Sequence, residues 1–158
     1  FLKENKNGPI LGLSMDCFVA KSVSSDTRDW SDLAFVKLDV EGFEIAVLRG
    51  ARNTLLSDKT HIGGMVMEVG PSRWGRAGID FDSGIVEMKI LASKFQTSYV
   101  LIRTSGSYSD TCPTSLVEGT LKDTNPRMMD NVSVYKVDMD EWEPLLANLN
   151  KIKGDCNF

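Results

Sequence analysis

Phe35-Val-Lys-Leu-Asp-Val-Glu-Gly-Phe-Glu44 is the stretch that decides how this chain folds. Leu33 to Asp39 is a short, mostly apolar run with the length and composition of a buried strand. Val40-Glu-Gly42 breaks it. Beyond the break, Phe43, Val47, Leu48, Ala51, Leu55 and Leu56 recur at three- and four-residue spacing. That pattern predicts an amphipathic helix laying one face on a sheet. Arg49 and Arg52 fall on or near its wet side. Gly50 weakens such a helix by roughly 1 kcal/mol relative to Ala, so it marks a close approach to the strand.

The alternation continues outward on both sides. Ile62 to Val69 is a second buried strand, ended by Gly70-Pro71. A loop containing Trp74, Gly75 and Gly78 follows. Ile85, Met88, Ile90, Leu91, Lys94 and Phe95 predict another helix, with Asp82 or Ser83 as its N-cap. Tyr99 to Arg103 is a third strand. Thr104 to Arg127 is a polar loop, longer than compact domains usually tolerate without a purpose. Asn131 to Val137 alternates as a fourth strand, and Asp140 to Ile152 is a closing helix capped by Asp140. Upstream, a short strand falls near Ser14–Val19, and Ser22 to Ser31 is polar and turn-rich. This order predicts an α/β sheet with helices on its faces. The last two strands have no helix between them, which suits antiparallel pairing.

The composition supports one ordinary globular domain. The chain has 158 residues, 42% hydrophobic and 25% charged, enough apolar material for one core. Its formal net charge is -4 and no Lys/Arg cluster is dense enough to track a phosphate backbone, which disfavours nucleic acid as a partner. The apolar runs are too short and interrupted for a spanning helix. Cys17, Cys112 and Cys156 are widely spaced and form no C-x-x-C pair. They read as unrelated thiols, which favours a reducing, cytoplasmic compartment. Asn131-Val-Ser133 fits the glycosylation sequon, but its place in a buried strand makes it a chance occurrence. Phe1-Leu-Lys-Glu-Asn5 carries neither an initiator Met nor a signal-peptide pattern, so the chain reads as one entered in the middle.

Phe35–Glu44, then Val47-Leu-Arg-Gly-Ala51 and Leu55-Leu56, closely resembles the signature of FkbM-type methyltransferases. That signature is an apolar strand, Asp-Val-Glu-Gly-x-Glu, and a helix reading V-L-x-G-A with a Leu pair one turn later. The family's next strand ends in Glu, as Met65-Val-Met-Glu68 does. Its upstream "Leu-Asp" strand is similar to Ser14-Met-Asp16 with Phe18-Val19. The resemblance spans Ser14 to about Gly70. It implies the class I, Rossmann-like methyltransferase fold, a mostly parallel sheet with a final antiparallel strand. On that template Leu33–Asp39 is strand four, Gly64–Glu68 strand five, Tyr99–Arg103 strand six and Asn131–Val137 strand seven. Residues 1–158 would then be a single partial domain. The Gly-rich turn after strand one and the acidic residue ending strand two, which hold the cofactor, would precede Phe1. No G-x-G occurs among the 13 glycines.

The resemblance further implies S-adenosylmethionine as methyl donor and a hydroxyl on a sugar, glycan or small metabolite as acceptor. Methyl transfer from a sulfonium is an in-line displacement, so positioning dominates, and a hydroxyl acceptor also needs a base. In open α/β sheets ligands sit beyond the carboxyl ends of the strands. Asp39 ends strand four and is the candidate base or acceptor-orienting group; its alternative is a helix cap. Asp39, Glu41 and Gly42 are the candidate cofactor-binding residues. Glu41 either faces the cleft or favours the helix N-terminus through its dipole, and Gly42 permits a turn a side chain would obstruct. Glu44 lies in the first helical turn. Glu68 ends strand five and is the second catalytic candidate, bordering the acceptor pocket. No metal ligand set is recognisable.

His61, the sole histidine, precedes strand five at the opposite edge from the crevice, which favours a surface role. Gly70-Pro-Ser-Arg-Trp-Gly-Arg-Ala77 superficially resembles a P-loop, but Arg76 and Ala77 stand where its Lys and hydroxyl belong. Arg73 and Trp74 read as loop residues over the acceptor side, Trp74 either stacking on a ring or packing. An alternative to the enzyme is an inactive fragment or interaction module. Without strand one, the apolar edge of strand four would be exposed and would invite self-association.

Overall fold

The computed structural model describes residues 2–5, 8–11, 13–23, 31–103, 117, 119–129 and 132–151. Most of the predicted loop 104–127, most of the turn-rich 22–31 stretch, Asn131 of the sequon, Cys112 and Cys156 lie outside them. Strands β1 (Leu2–Asn5) and β2 (Gly8–Leu11) pair antiparallel. Helix α1 spans Met15–Val23. The decisive stretch then gives β3 (Asp32–Leu33), β4 (Val36–Leu38), α2 (Glu44–Gly50) and α3 (Arg52–Leu55). Next come β5 (His61–Ile62), β6 (Met65–Met67), a 3-10 helix (Pro71–Ala77) and α4 (Phe81–Ser93). The chain continues with β7 (Ser98–Arg103), β8 (Arg127–Met129), β9 (Val132–Val137) and α5 (Trp142–Asn150).

The predicted strands four and five are each split in two, yet their pairing keeps one register. Asp32 faces His61 and Val36 faces Met65, all parallel, so the same offset of 29 residues holds on both sides of the break. Gly63 and Gly64 sit in the gap, where Gly63 donates to Leu33 O at 2.8 Å and Val36 donates to Gly64 O at 2.9 Å. A Cβ on Gly63 would lie 2.6 Å from Ala34 O, so only glycine permits the close passage there. Strand β9 pairs antiparallel with β7, as the missing helix between them suggested. Its other side takes β8, a strand that begins at Arg127, the last residue of the expected loop. The neighbours of β9 in its sheet are β7 and β8, not β6. A hairpin between segments adjacent in sequence closes at small entropic cost, which favours β8. The architecture is mixed α/β, built from small sheets.

The core lies between these strands and the helices. Ile45, Leu48, Ala51 and Leu55 form the buried face of α2 and α3, beside Met88, Leu91 and Ala92 of α4 and Leu145, Leu146 and Leu149 of α5. Each buried Leu or Ile contributes about 1.5–3 kcal/mol. Trp74 of the 3-10 helix is buried and stacks on Phe81, with ring centroids 6.1 Å apart. Gly84 makes room for it, since a Cβ there would fall 2.2 Å from the indole ring. Trp74 therefore packs inside the protein and offers no face to a ligand, and the predicted loop around it is a 3-10 helix.

Several local expectations are corrected. Ser14–Val19 is not a strand. Ser14 Oγ accepts from the Cys17 amide at 3.3 Å, and Phe18 N–H donates to Ser14 O, so the segment starts α1. Asp16, within that helix, accepts the amides of Asn53 and Thr54 at 3.0 and 2.8 Å and the Thr54 hydroxyl at 2.8 Å. It thereby caps the start of α3, where the Thr54 amide also donates to Ala51 O at 3.0 Å. Gly50 approaches Ser14 at the start of α1, where an added Cβ would sit 3.3 Å from Ser14 Cβ, and not the strand. The cap of α4 is Asp80, not Asp82 or Ser83, because Ser83 donates its amide (2.9 Å) to that carboxylate. Glu141, not Asp140, occupies the cap position of α5. Its buried carboxylate accepts the amides of Asp138 and Lys122, while Asp140 pairs with Lys122 Nζ at 2.7 Å.

Burial works to raise the Asp16 carboxyl, but its bonds to Asn53 and Thr54 outweigh this and hold it below the ordinary value of 3.8. A depressed native value means stability present above the unfolded value and lost as pH falls through the folded one. Replacing Asp16→Ala is expected to lower stability by about 1 kcal/mol at neutral pH, the usual worth of a lost cap. Denaturant unfolding checks this, with the deficit shrinking below the ordinary Asp value; no deficit at neutral pH contradicts it.

Candidate functional site

Two strand ends and two turns build the site. Asp39 follows β4 and Glu68 follows β6, one step beyond the last register pair, with Glu68 N–H donating to Leu38 O at 3.1 Å. Both carboxylates therefore stand at the carboxyl edge of the parallel pair, where ligands of open α/β sheets sit. The chain then turns sharply. Phe43 N–H donates to Val40 O at 3.2 Å, and the two central residues, Glu41 and Gly42, have φ of 54° and 97°. Two successive left-handed residues define a type I′ turn, which suits Gly at the second position but costs energy for Glu at the first.

Lys37, Leu38, Asp39, Glu41, Val66, Met67 and Glu68 line an open cleft of about 220 Å³ at this edge. The structure thus brings Asp39, Glu41 and Glu68 together. Their carboxylate oxygens lie within 4.8 Å of one another. Asp39 is half exposed and pairs with exposed Lys37 at 3.3 Å, a contact of little strength in water. Gly42 does not line the cleft. It is buried against Arg73, where an added Cβ would lie 2.7 Å from Arg73 Cβ, and its amide donates to Glu44 Oε1 at 2.9 Å. Glu44 is fully buried by α2 and serves this turn.

The residue that sequence reasoning misplaced is Arg73. It is buried, not spread over the acceptor side, and it joins the two turns. Its Nη1 donates to Glu41 Oε2 at 2.8 Å and its Nη2 to Glu68 Oε1 at 2.5 Å. Gly70 leaves the space for it, because a Cβ there would meet the guanidinium 2.6–3.0 Å away. The usable signal was a glycine three residues before an arginine, directly after a strand ending in Glu. His61 stands at the other edge, at the start of β5, exposed and 3.0 Å from Asp32.

Burial pushes the Glu68 carboxyl above its ordinary value of 4.5; the hydrogen bond and charge of Arg73 oppose this, while Glu41 and Glu44 add to it. A raised native value means the folded protein holds this proton more tightly than the unfolded chain. The associated stability is fully present below about 4.5 and is lost as pH rises through the folded value. Glu68→Gln is expected to flatten that part of the stability–pH curve between acid and neutral pH. Denaturant unfolding over this range checks it, and unchanged slopes contradict it.

Comparison with known proteins completes the site. The family model described as Methyltransferase FkbM domain matches residues 22–103, from the end of α1 through β7. The match starts after Ser14–Val19, the segment that proves helical. No curated protein and no solved structure matches the chain. The matched span covers just over half of the sequence and contains the strand ends, the type I′ turn and the buried arginine. The chain belongs to the FkbM methyltransferase family.

Proposed function

We propose that this chain supplies the acceptor side of an S-adenosylmethionine-dependent methyltransferase that methylates a hydroxyl on a sugar, glycan or small metabolite. On this reading β3–β4 serves as strand four of a class I fold, β5–β6 as strand five, β7 as strand six and β9 as strand seven, within a domain whose other half binds most of the cofactor. The observation that carries the reading is Asp39, a solvent-accessible carboxylate at the carboxyl end of a parallel strand, in a cleft beside Glu68.

The donor set fits a cationic ligand. Asp39, Glu41 and Glu68 supply anionic oxygen, and Leu38, Val66 and Met67 supply an apolar wall. S-adenosylmethionine, when bound, supplies an electrophilic methyl group. Asp39 accepts a hydrogen bond from the acceptor hydroxyl, aligns its oxygen and takes its proton on an Oδ. Glu68, engaged by Arg73, shapes the acceptor wall and leaves the proton transfer to Asp39. Alignment itself accounts for several kcal/mol of barrier lowering.

A second reading, an interaction module, draws on a different observation. Among the described residues β4 and β6 pair only with each other, and Phe35 next to β4 and Val66 in β6 are 63% and 40% exposed. Exposed edges of this kind invite strand addition or self-association. Calorimetric titration of the full-length protein containing this chain with S-adenosylmethionine separates the two. Saturable heat, weakened little by Asp39→Asn while methyl transfer falls by about 10²-fold or more, supports the enzyme. No heat at saturating donor, together with self-association in light scattering, supports the module.

A further inference from the structure

Asp39, Glu41 and Glu68 have the spacing of a shared cation site, with oxygens within 4.8 Å of one another. Glu44 adds a fourth carboxylate nearby. It is fully buried, its Oε2 has no hydrogen-bond partner, and its charge acts on Glu68. So many carboxylates at close range repel one another and require a positive charge among them. That charge is already present. Arg73 is 4% exposed and grips Glu41 and Glu68 at 2.8 and 2.5 Å.

The backbone is shaped to admit this one side chain. Gly42 yields its Cβ space to Arg73 Cβ and Gly70 yields its own to the guanidinium. The Glu41–Gly42 turn is held in left-handed conformations directly against it. A residue that merely filled space would not need a glycine at each end of its side chain and two carboxylates at its charged end. We infer that Arg73 is the built-in counter-cation of the cleft, a positioning residue that stands where a divalent cation would otherwise bridge the two turns carrying Asp39 and Glu68.

Removing the guanidinium then leaves an acidic, cation-hungry cluster with oxygen ligands of the kind hard divalent ions take. The test is thermal melting of the full chain with and without 10 mM calcium chloride or magnesium chloride, for the wild type, Arg73→Met and Arg73→Lys. The wild type is expected to melt at the same temperature with and without the ion. Arg73→Met is expected to melt lower and to recover by about 5 °C when calcium binds the vacated cluster. Arg73→Lys keeps a positive charge and is expected to lose less and to show no calcium dependence. If Arg73→Met folds only when refolded in calcium, the inference stands. Failure to fold in either condition, or melting that ignores calcium, overturns it. So does calcium dependence of the wild type or of Arg73→Lys equal to that of Arg73→Met. Neither methyl donor nor acceptor enters this experiment, so its outcome is separate from that of the proposed activity.

Discussion

A buried guanidinium shared by two carboxylates holds the carboxyl edge of the parallel strand pair together. Taking Arg73 out of water costs several kcal/mol, and the cost is offset only where its donors meet charged acceptors at short range. Glu41 and Glu68 meet that condition from two different turns. Once the pair is in place, other features follow from it. Gly42 and Gly70 must lack side chains, the Glu41 backbone must hold a left-handed conformation, and Glu68 is kept from ionising freely by burial while its partner pulls the other way.

The same constraint divides labour among the acidic residues. Glu68 and Glu41 are engaged by Arg73, and Glu44 binds the Gly42 amide. Asp39 is left facing solvent, paired with an exposed lysine. The proposed role of Asp39 as proton acceptor uses that openness, and the proposed role of Glu68 as a wall uses the opposite. The chain's FkbM methyltransferase family membership covers this edge, and Arg73 leaves Asp39 as its solvent-open carboxylate.

Much of this edge could be read from the sequence. The apolar run to Leu38, the Asp-Val-Glu-Gly break and the three- and four-residue spacing after it are local signals, and they gave strand, turn and helix in that order, with the strand split after Leu33 and the helix split at Ala51. Asp39, Glu41 and Glu68 could be placed because strand ends share an edge whenever the strands run parallel in register. Arg73 could not. Its partner Glu41 is 32 residues away in sequence, and Pro71, Gly75 and Gly78 around it give the appearance of a loop. The segment forms a 3-10 helix because Trp74 has a slot over Gly84 to fill, a tertiary demand with no local signature. Asp16 failed for a related reason. Its apolar neighbours suit a strand, and only its bonds to Asn53 and Thr54, across the fold, tie the helix it belongs to into place. Caps were misplaced by one to three residues where Asp, Ser and Glu compete for the same amides, as at Asp80 and Glu141.

The most direct test of this account is a double-mutant cycle in denaturant unfolding, using Arg73→Met, Glu68→Gln and both together. If the buried pair organises the edge, the two substitutions are strongly coupled, by about 2 kcal/mol or more, and the double variant is far more stable than the sum of the single losses implies. Additive losses, within about 0.5 kcal/mol, would contradict it.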